Sequence, residues 1–110
     1  MKNRQEIITR LFSLPQEIKS AETDIFSEQL GITSAKDVLS AKEADLYTEG
    51  VIDGKNSEIR TAQLRQLTIK ERNDVAKAEN DANIARIKLN SLHNEFKSLQ
   101  TIAYLIEGVE

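Results

Sequence analysis

The sequence predicts an all-α protein, a long antiparallel helical hairpin of the coiled-coil type. Three observations point there. Apolar residues recur at alternating steps of four and three along almost the whole chain, the period of about 3.5 residues that marks a coiled-coil seam. The first run passes through Ile7, Leu11, Leu14, Ile18, Ala21, Ile25, Glu28, Ile32, Ala35, Leu39, Lys42 and Leu46. The second passes through Leu64, Thr68, Glu71, Val75, Ala78, Ala82, Ala85, Leu89, Leu92, Phe96, Leu99, Ala103 and Ile106. Aromatics make up only 5% of the 110 residues and there is a single proline, a composition that favours helix over sheet. The only cluster of turn residues, Glu49-Gly50-Val51-Ile52-Asp53-Gly54-Lys55-Asn56, lies near the middle and folds one run back on the other.

Taken in order, the first element is a short helix over residues 1–13, carrying Ile7, Ile8, Leu11 and Phe12. Ser13-Leu14-Pro15-Gln16 then reads as a helix start: Ser13 caps free N–H groups, Gln16 reaches back, and proline is tolerated in a first turn. The first long helix follows over residues 14–49. Because the heptad phase carries across Pro15, the two pieces also fit one helix kinked there. Gly31 raises the same question, since Leu30-Gly31 resembles a helix end and Thr33 or Ser34 a new cap. Ile25, Ile32 and Leu39 keep one phase through it, which favours a continuous helix with a bend. Gly50 and Gly54 make the turn at 50–56, Val51 and Ile52 cover the hairpin end, and Asp53 or Asn56 caps the second long helix over residues 57–107.

The seam contains Ile18, Ile25, Ile32, Leu39 and Leu46 from the first helix and Leu89, Leu92, Phe96 and Leu99 from the second. Ala78, Ala82 and Ala85 allow close approach of a partner backbone, and the polar positions Glu28, Lys42 and Glu71 weaken the seam while specifying register. One register sets Lys42 opposite Glu71; another is displaced by two turns. A two-helix hairpin buries little of its surface, so self-association into a dimer or larger bundle is expected to complete the core.

Charge excludes a general nucleic-acid binder, since the chain carries 15 basic and 18 acidic residues for a net of −3. The distribution is uneven. Residues 16–49 hold three basic and eight acidic groups, while residues 50–72 hold five basic and three acidic. The basic set near the turn, Lys55, Arg60, Arg65, Lys70 and Arg72, is the candidate interaction patch, although Glu58 and Glu71 dilute it and no aromatic is interleaved to stack on bases. With no cysteine there is neither a disulfide framework nor a thiolate metal site. No stretch approaches the roughly 18 apolar residues of a membrane span, and Thr9, Arg10 and Pro15 interrupt what would be a signal peptide's apolar region. A cytoplasmic location is expected, with no membrane partner.

Motifs that carry chemistry are weak. His93 is the only histidine, sits beside the seam and has no nucleophile motif near it. Asp53-Gly54-Lys55-Asn56-Ser57 lacks the glycine that a phosphate loop needs five residues before its Gly-Lys, since Glu49 stands there. Phe26 to Thr33 has the Leu-Gly-Ile-Thr of a helix-turn-helix, but Asp37 occupies a position that motif fills with an apolar residue. Carboxylates fall at surface spacings with lysines nearby, without an acidic loop or Glu-x-x-His. The expectation is therefore no enzyme, no cofactor and no metal.

Gly50-Val51-Ile52-Asp53-Gly54-Lys55-Asn56-Ser57-Glu58-Ile59-Arg60-Thr61-Ala62-Gln63-Leu64 resembles a stretch of small helical proteins encoded by bacteriophages and prophages of Gram-positive bacteria. The resemblance covers these fifteen residues and implies an accessory protein acting in the bacterial host, without transferring any catalytic residue. The expected function is non-enzymatic, protein–protein interaction on a coiled-coil scaffold, with an unknown host or phage protein as partner. The alternative is a nucleic-acid-associated protein, such as an inhibitor of a host nuclease or of DNA-processing machinery, which would use the basic set.

Overall fold

A computed structural model describes residues 3–109, of which the side chain of Val109 is excluded. The expected helix over residues 1–13 therefore begins outside the described residues. The protein is an all-α helical hairpin with three helices among the described residues: α1 (Arg4–Thr48), α2 (Ser57–Leu67) and α3 (Ile69–Val109). No strand occurs among the described residues. Packing gathers into two compact units, one of residues 1–26 with 83–110 and the other of residues 27–82.

In the first unit α1 and α3 pack along the seam. Ile7, Leu14, Ile18 and Ala21 are buried with Leu92 and Leu99, and Leu11, Leu89, Phe96, Ala103 and Ile106 close over them. Leu14 is fully buried, at 0% exposure. Contrary to the expected start at Ser13, α1 runs uninterrupted through Pro15. The cap lies earlier: the side-chain oxygen of Asn3 accepts from the backbone N–H of Glu6 at 2.9 Å. Ser13 instead donates its hydroxyl to the carbonyl of Arg10, 3.0 Å away. Pro15 removes one ladder donor, but it sits on the exposed side of the helix, where water can take the place of the missing N–H. Burial of Leu14 and Ile18 on either side holds the helical path.

In the second unit α1 continues through Gly31 without a break, so neither Thr33 nor Ser34 starts a helix; Thr33 donates back to the carbonyl of Gln29 at 3.2 Å. Leu46, Ile52, Val75, Ala82 and Thr68 are buried here. Lys42 is not in the seam. It is exposed, and Glu43 takes the half-buried position with its carboxylate 4.0 Å from Arg72. This is close to the register that sets Lys42 opposite Glu71, moved on by one residue in each helix.

The turn closes α1 by a Schellman arrangement. Gly50 adopts φ +74°, its N–H donates to the carbonyl of Tyr47 at 3.1 Å, and the N–H of Val51 donates to that of Leu46, also at 3.1 Å. Asn56 caps α2, accepting from the N–H of Ile59 at 2.9 Å. Between these ends Gln63 accepts from the Gly54 N–H (2.9 Å) and donates to the Asp53 carboxylate (2.8 Å), while Arg60 donates to the Gly54 carbonyl (3.1 Å). A side chain at position 54 would meet Ile59 and Gln63 within 3 Å. Glycine is required there by crowding, not by its dihedral angles.

The single second helix expected over residues 57–107 is two. Thr68, with φ −122° and ψ 27°, separates α2 from α3, and its N–H makes only a long 3.4 Å bond to the carbonyl of Arg65. Its side chain is fully buried at a seam position. Thr68 Oγ1 donates to the carbonyl of Leu64 at 2.7 Å and accepts from Arg72 Nε at 2.9 Å. Thr23, Thr33 and Thr101 donate to the carbonyl four residues back inside unbroken helices, so what sets Thr68 apart is its burial and its bond from Arg72.

Candidate interaction surfaces

The basic set proposed from sequence is divided by its local contacts. Arg60 is tied to the Gly54 carbonyl, and Arg72 to Thr68 and Glu43. Lys70 pairs with Asp74 at 3.1 Å, and this hydrogen bond raises the lysine above its ordinary titration range. Lys55 and Arg65 are exposed. Arg65 borders a shallow open groove on α2 and the start of α3 with Glu58, Thr61, Ala62, Gln66 and Ile69. Arg60 and Arg72 are thus held by contacts within the second unit, whereas the Lys70 side chain stays 82% exposed in a surface pair.

A charged cluster that the sequence reading did not single out lies at the rim of the seam in the first unit. The guanidinium of Arg10 holds the Glu95 carboxylate through two parallel bonds, Nε to Oε2 at 2.7 Å and Nη2 to Oε1 at 2.8 Å. It also pairs with Glu17, two turns further along α1. Bonding to Glu95 first, and to Glu17 after partial desolvation is counted, keeps Arg10 charged far above the accessible pH range. Fork-to-fork geometry makes this contact directional, so it favours one register of α1 against α3. The detectable signal was spacing alone: Arg10 and Glu17 are a heptad apart and flank the seam, as edge positions of a coiled coil do.

His93 is exposed beside Leu92. No group of three or more His, Cys, Asp or Glu side chains suited to a metal ion occurs among the described residues. No helix among the described residues is long and apolar enough to cross a membrane.

Large apolar side chains lie open on the first unit. On α1 they include Phe12 and Phe26, 83% and 67% exposed; on α3 they include Ile84, Ile87, Tyr104 and Leu105, each more than half exposed. None is a seam residue. Single exposed apolar side chains are ordinary, but several on one small two-helix unit are the kind of surface that contacts between proteins use. The chain matches no protein-family model, and no curated protein and no solved structure shows significant similarity to it.

Proposed function

We propose that this chain is a non-enzymatic accessory protein of a bacteriophage or prophage that acts in the host cytoplasm through protein–protein contacts on its helical-hairpin scaffold. The exposed apolar side chains of the first unit carry the reading. The seam already has its own apolar set, so Ile84 and Ile87, 58% and 69% exposed, contribute nothing to it and are available to a protein partner. The phage setting rests on the resemblance of the Gly50–Leu64 stretch. The engagement of Arg60 and Arg72 within the chain weighs against the nucleic-acid alternative, which would have to work mainly through the exposed Lys55, Arg65 and Lys70.

Affinity capture from a lysogenic Gram-positive host tests the reading. The tagged wild-type chain is expected to retain a defined host or phage protein, and the double variant Ile84→Asp/Ile87→Asp, with unchanged helicity, to lose it. Capture of nothing above an untagged control, or capture untouched by the double variant, would overturn it. The nucleic-acid alternative predicts instead that Lys55→Glu/Arg65→Glu abolishes retention of DNA.

A further inference from the structure

We infer that the exposed flank of α1 in the first unit is a two-fold contact with a second copy of this chain. Beside the buried seam, α1 carries another row at heptad spacing: Ile8, Phe12, Pro15, Lys19, Glu22 and Phe26. Steps of four, three, four, three and four place all six on one helical flank. Ile8 lies at the edge of exposure at 36%, Phe12 and Phe26 project well into solvent, and Pro15, Lys19 and Glu22 are exposed. Neither Lys19 nor Glu22 has an ion-pair partner among the described residues.

The order of these residues selects the occupant. An antiparallel pairing of two such rows about a two-fold axis sets Lys19 against Glu22 of the second copy and Glu22 against Lys19 of the second copy. The same register lays Phe26 over Pro15 of the second copy and brings Phe12 within one turn of Phe26 of the second copy. Pro15, Lys19, Glu22 and Phe26 are thereby matched within the row, while Phe12 and Ile8 lie over Gln29 and Thr33 of the second copy; this reciprocal pairing is what an isologous interface requires. Each phenylalanine contributes on the order of 150 Å² of apolar surface, so four of them with the flanking side chains reach about 1,000 Å², the lower limit for a specific interface. The dimer is accordingly a weak one, with micromolar dissociation.

This rests on the interaction reading but fails separately from it, because the residues assigned to a different protein, Ile84 and Ile87, are not in the row. Sedimentation velocity on the full chain across a concentration series measures the association, with circular dichroism confirming that each variant keeps its helicity. The wild type is expected at twice the 12.4 kDa chain mass at high concentration. Phe12→Ser/Phe26→Ser is expected to raise the dissociation constant more than about 100-fold. Lys19→Glu alone and Glu22→Lys alone each raise it about ten-fold, while an equimolar mixture of those two variants recovers wild-type association, since every charged pair is again opposite. A wild type that stays monomeric, a dimer indifferent to the phenylalanine changes, or a mixture that fails to recover would overturn the inference. A monomer that still captures a host protein through Ile84 and Ile87 would leave the interaction reading standing and assign this flank to another partner.

Discussion

Leu14→Ala removes the best-buried aliphatic side chain of the first unit, and its expected cost follows from its surroundings. Leu14 has no exposed surface and belongs to a cluster of Ile7, Ile18, Ala21, Leu92 and Leu99. Truncating a buried leucine costs about 2–5 kcal/mol, depending on how far the neighbours collapse into the space. A two-helix layer is thin, so partial collapse is open to it and about 3 kcal/mol is the expected value. For a chain of 110 residues the unfolding entropy is about 0.2 kcal/mol/K, so the melting temperature should fall by roughly 13 °C. Thermal melts followed by circular dichroism measure this, with Ile87→Ala as the comparison because that side chain is 69% exposed. The control should stay within about 0.5 kcal/mol of wild type, or roughly 2 °C. If the two substitutions lower the melt equally, or Leu14→Ala leaves it unchanged, the seam is not where the first unit's stability resides.

Three further outcomes follow from the second unit. Thr68→Val keeps the shape of the buried side chain but deletes both of its hydrogen bonds, to Leu64 and from Arg72; it should cost about 1–2 kcal/mol in urea denaturation. Gly31→Ala should stabilise by up to about 1 kcal/mol, because the position is mid-helix and a methyl group there meets nothing within 4 Å, whereas Gly50→Ala should destabilise by about 1 kcal/mol at its positive φ. Paired melts read the opposite signs. Gln63→Ala should accelerate hydrogen exchange of the Gly54 amide and cost about 1–2 kcal/mol, since one side chain both accepts from that amide and donates to Asp53.

Periodicity made the fold class legible because it reports burial directly. All thirteen positions of the second run, from Leu64 to Ile106, are buried or half-buried, and in the first run only Lys42 is exposed. At Gly31 the heptad phase through Ile25, Ile32 and Leu39 favoured the continuous helix that forms, whereas the local signals at Ser13 and Pro15 describe what a residue tolerates and the outcome depends on what its neighbours bury. Ser13 and Pro15 form a plausible helix start in isolation, yet Leu14 and Ile18 are buried in one continuous helix, and Asn3 supplies the cap. At Thr68 the error runs the other way. Nothing in the sequence near Leu67-Thr68-Ile69 is a helix breaker, and what distinguishes Thr68 there, a buried hydroxyl satisfied on Leu64 and Arg72, depends on tertiary packing. The candidate site was legible only in part. Charge counting found Arg60 and Arg72, but their engagement with Gly54, Thr68 and Glu43 depends on tertiary contacts that no local pattern records.

The exchange of Lys42 for Glu43 is a local departure from the counted seam, which holds at every other position of the first run. Near the end of α1 the buried side runs Ala35, Leu39, Glu43 and Leu46, two steps of four in succession where counting alternates three and four. Counting and burial agree again at Leu46, so no drift accumulates. Chemistry favours the local exchange: Arg72, already held by Thr68, lies 4.0 Å from Glu43, so a carboxylate at this place meets a cation, where the Lys42 ammonium would have met a like charge. The polar residues of the seam are therefore placed by one another. Thr68 positions Arg72 and Arg72 lies beside Glu43, a polar chain that accompanies the burial of Leu46 and Val75 and that the apolar repeat alone does not encode.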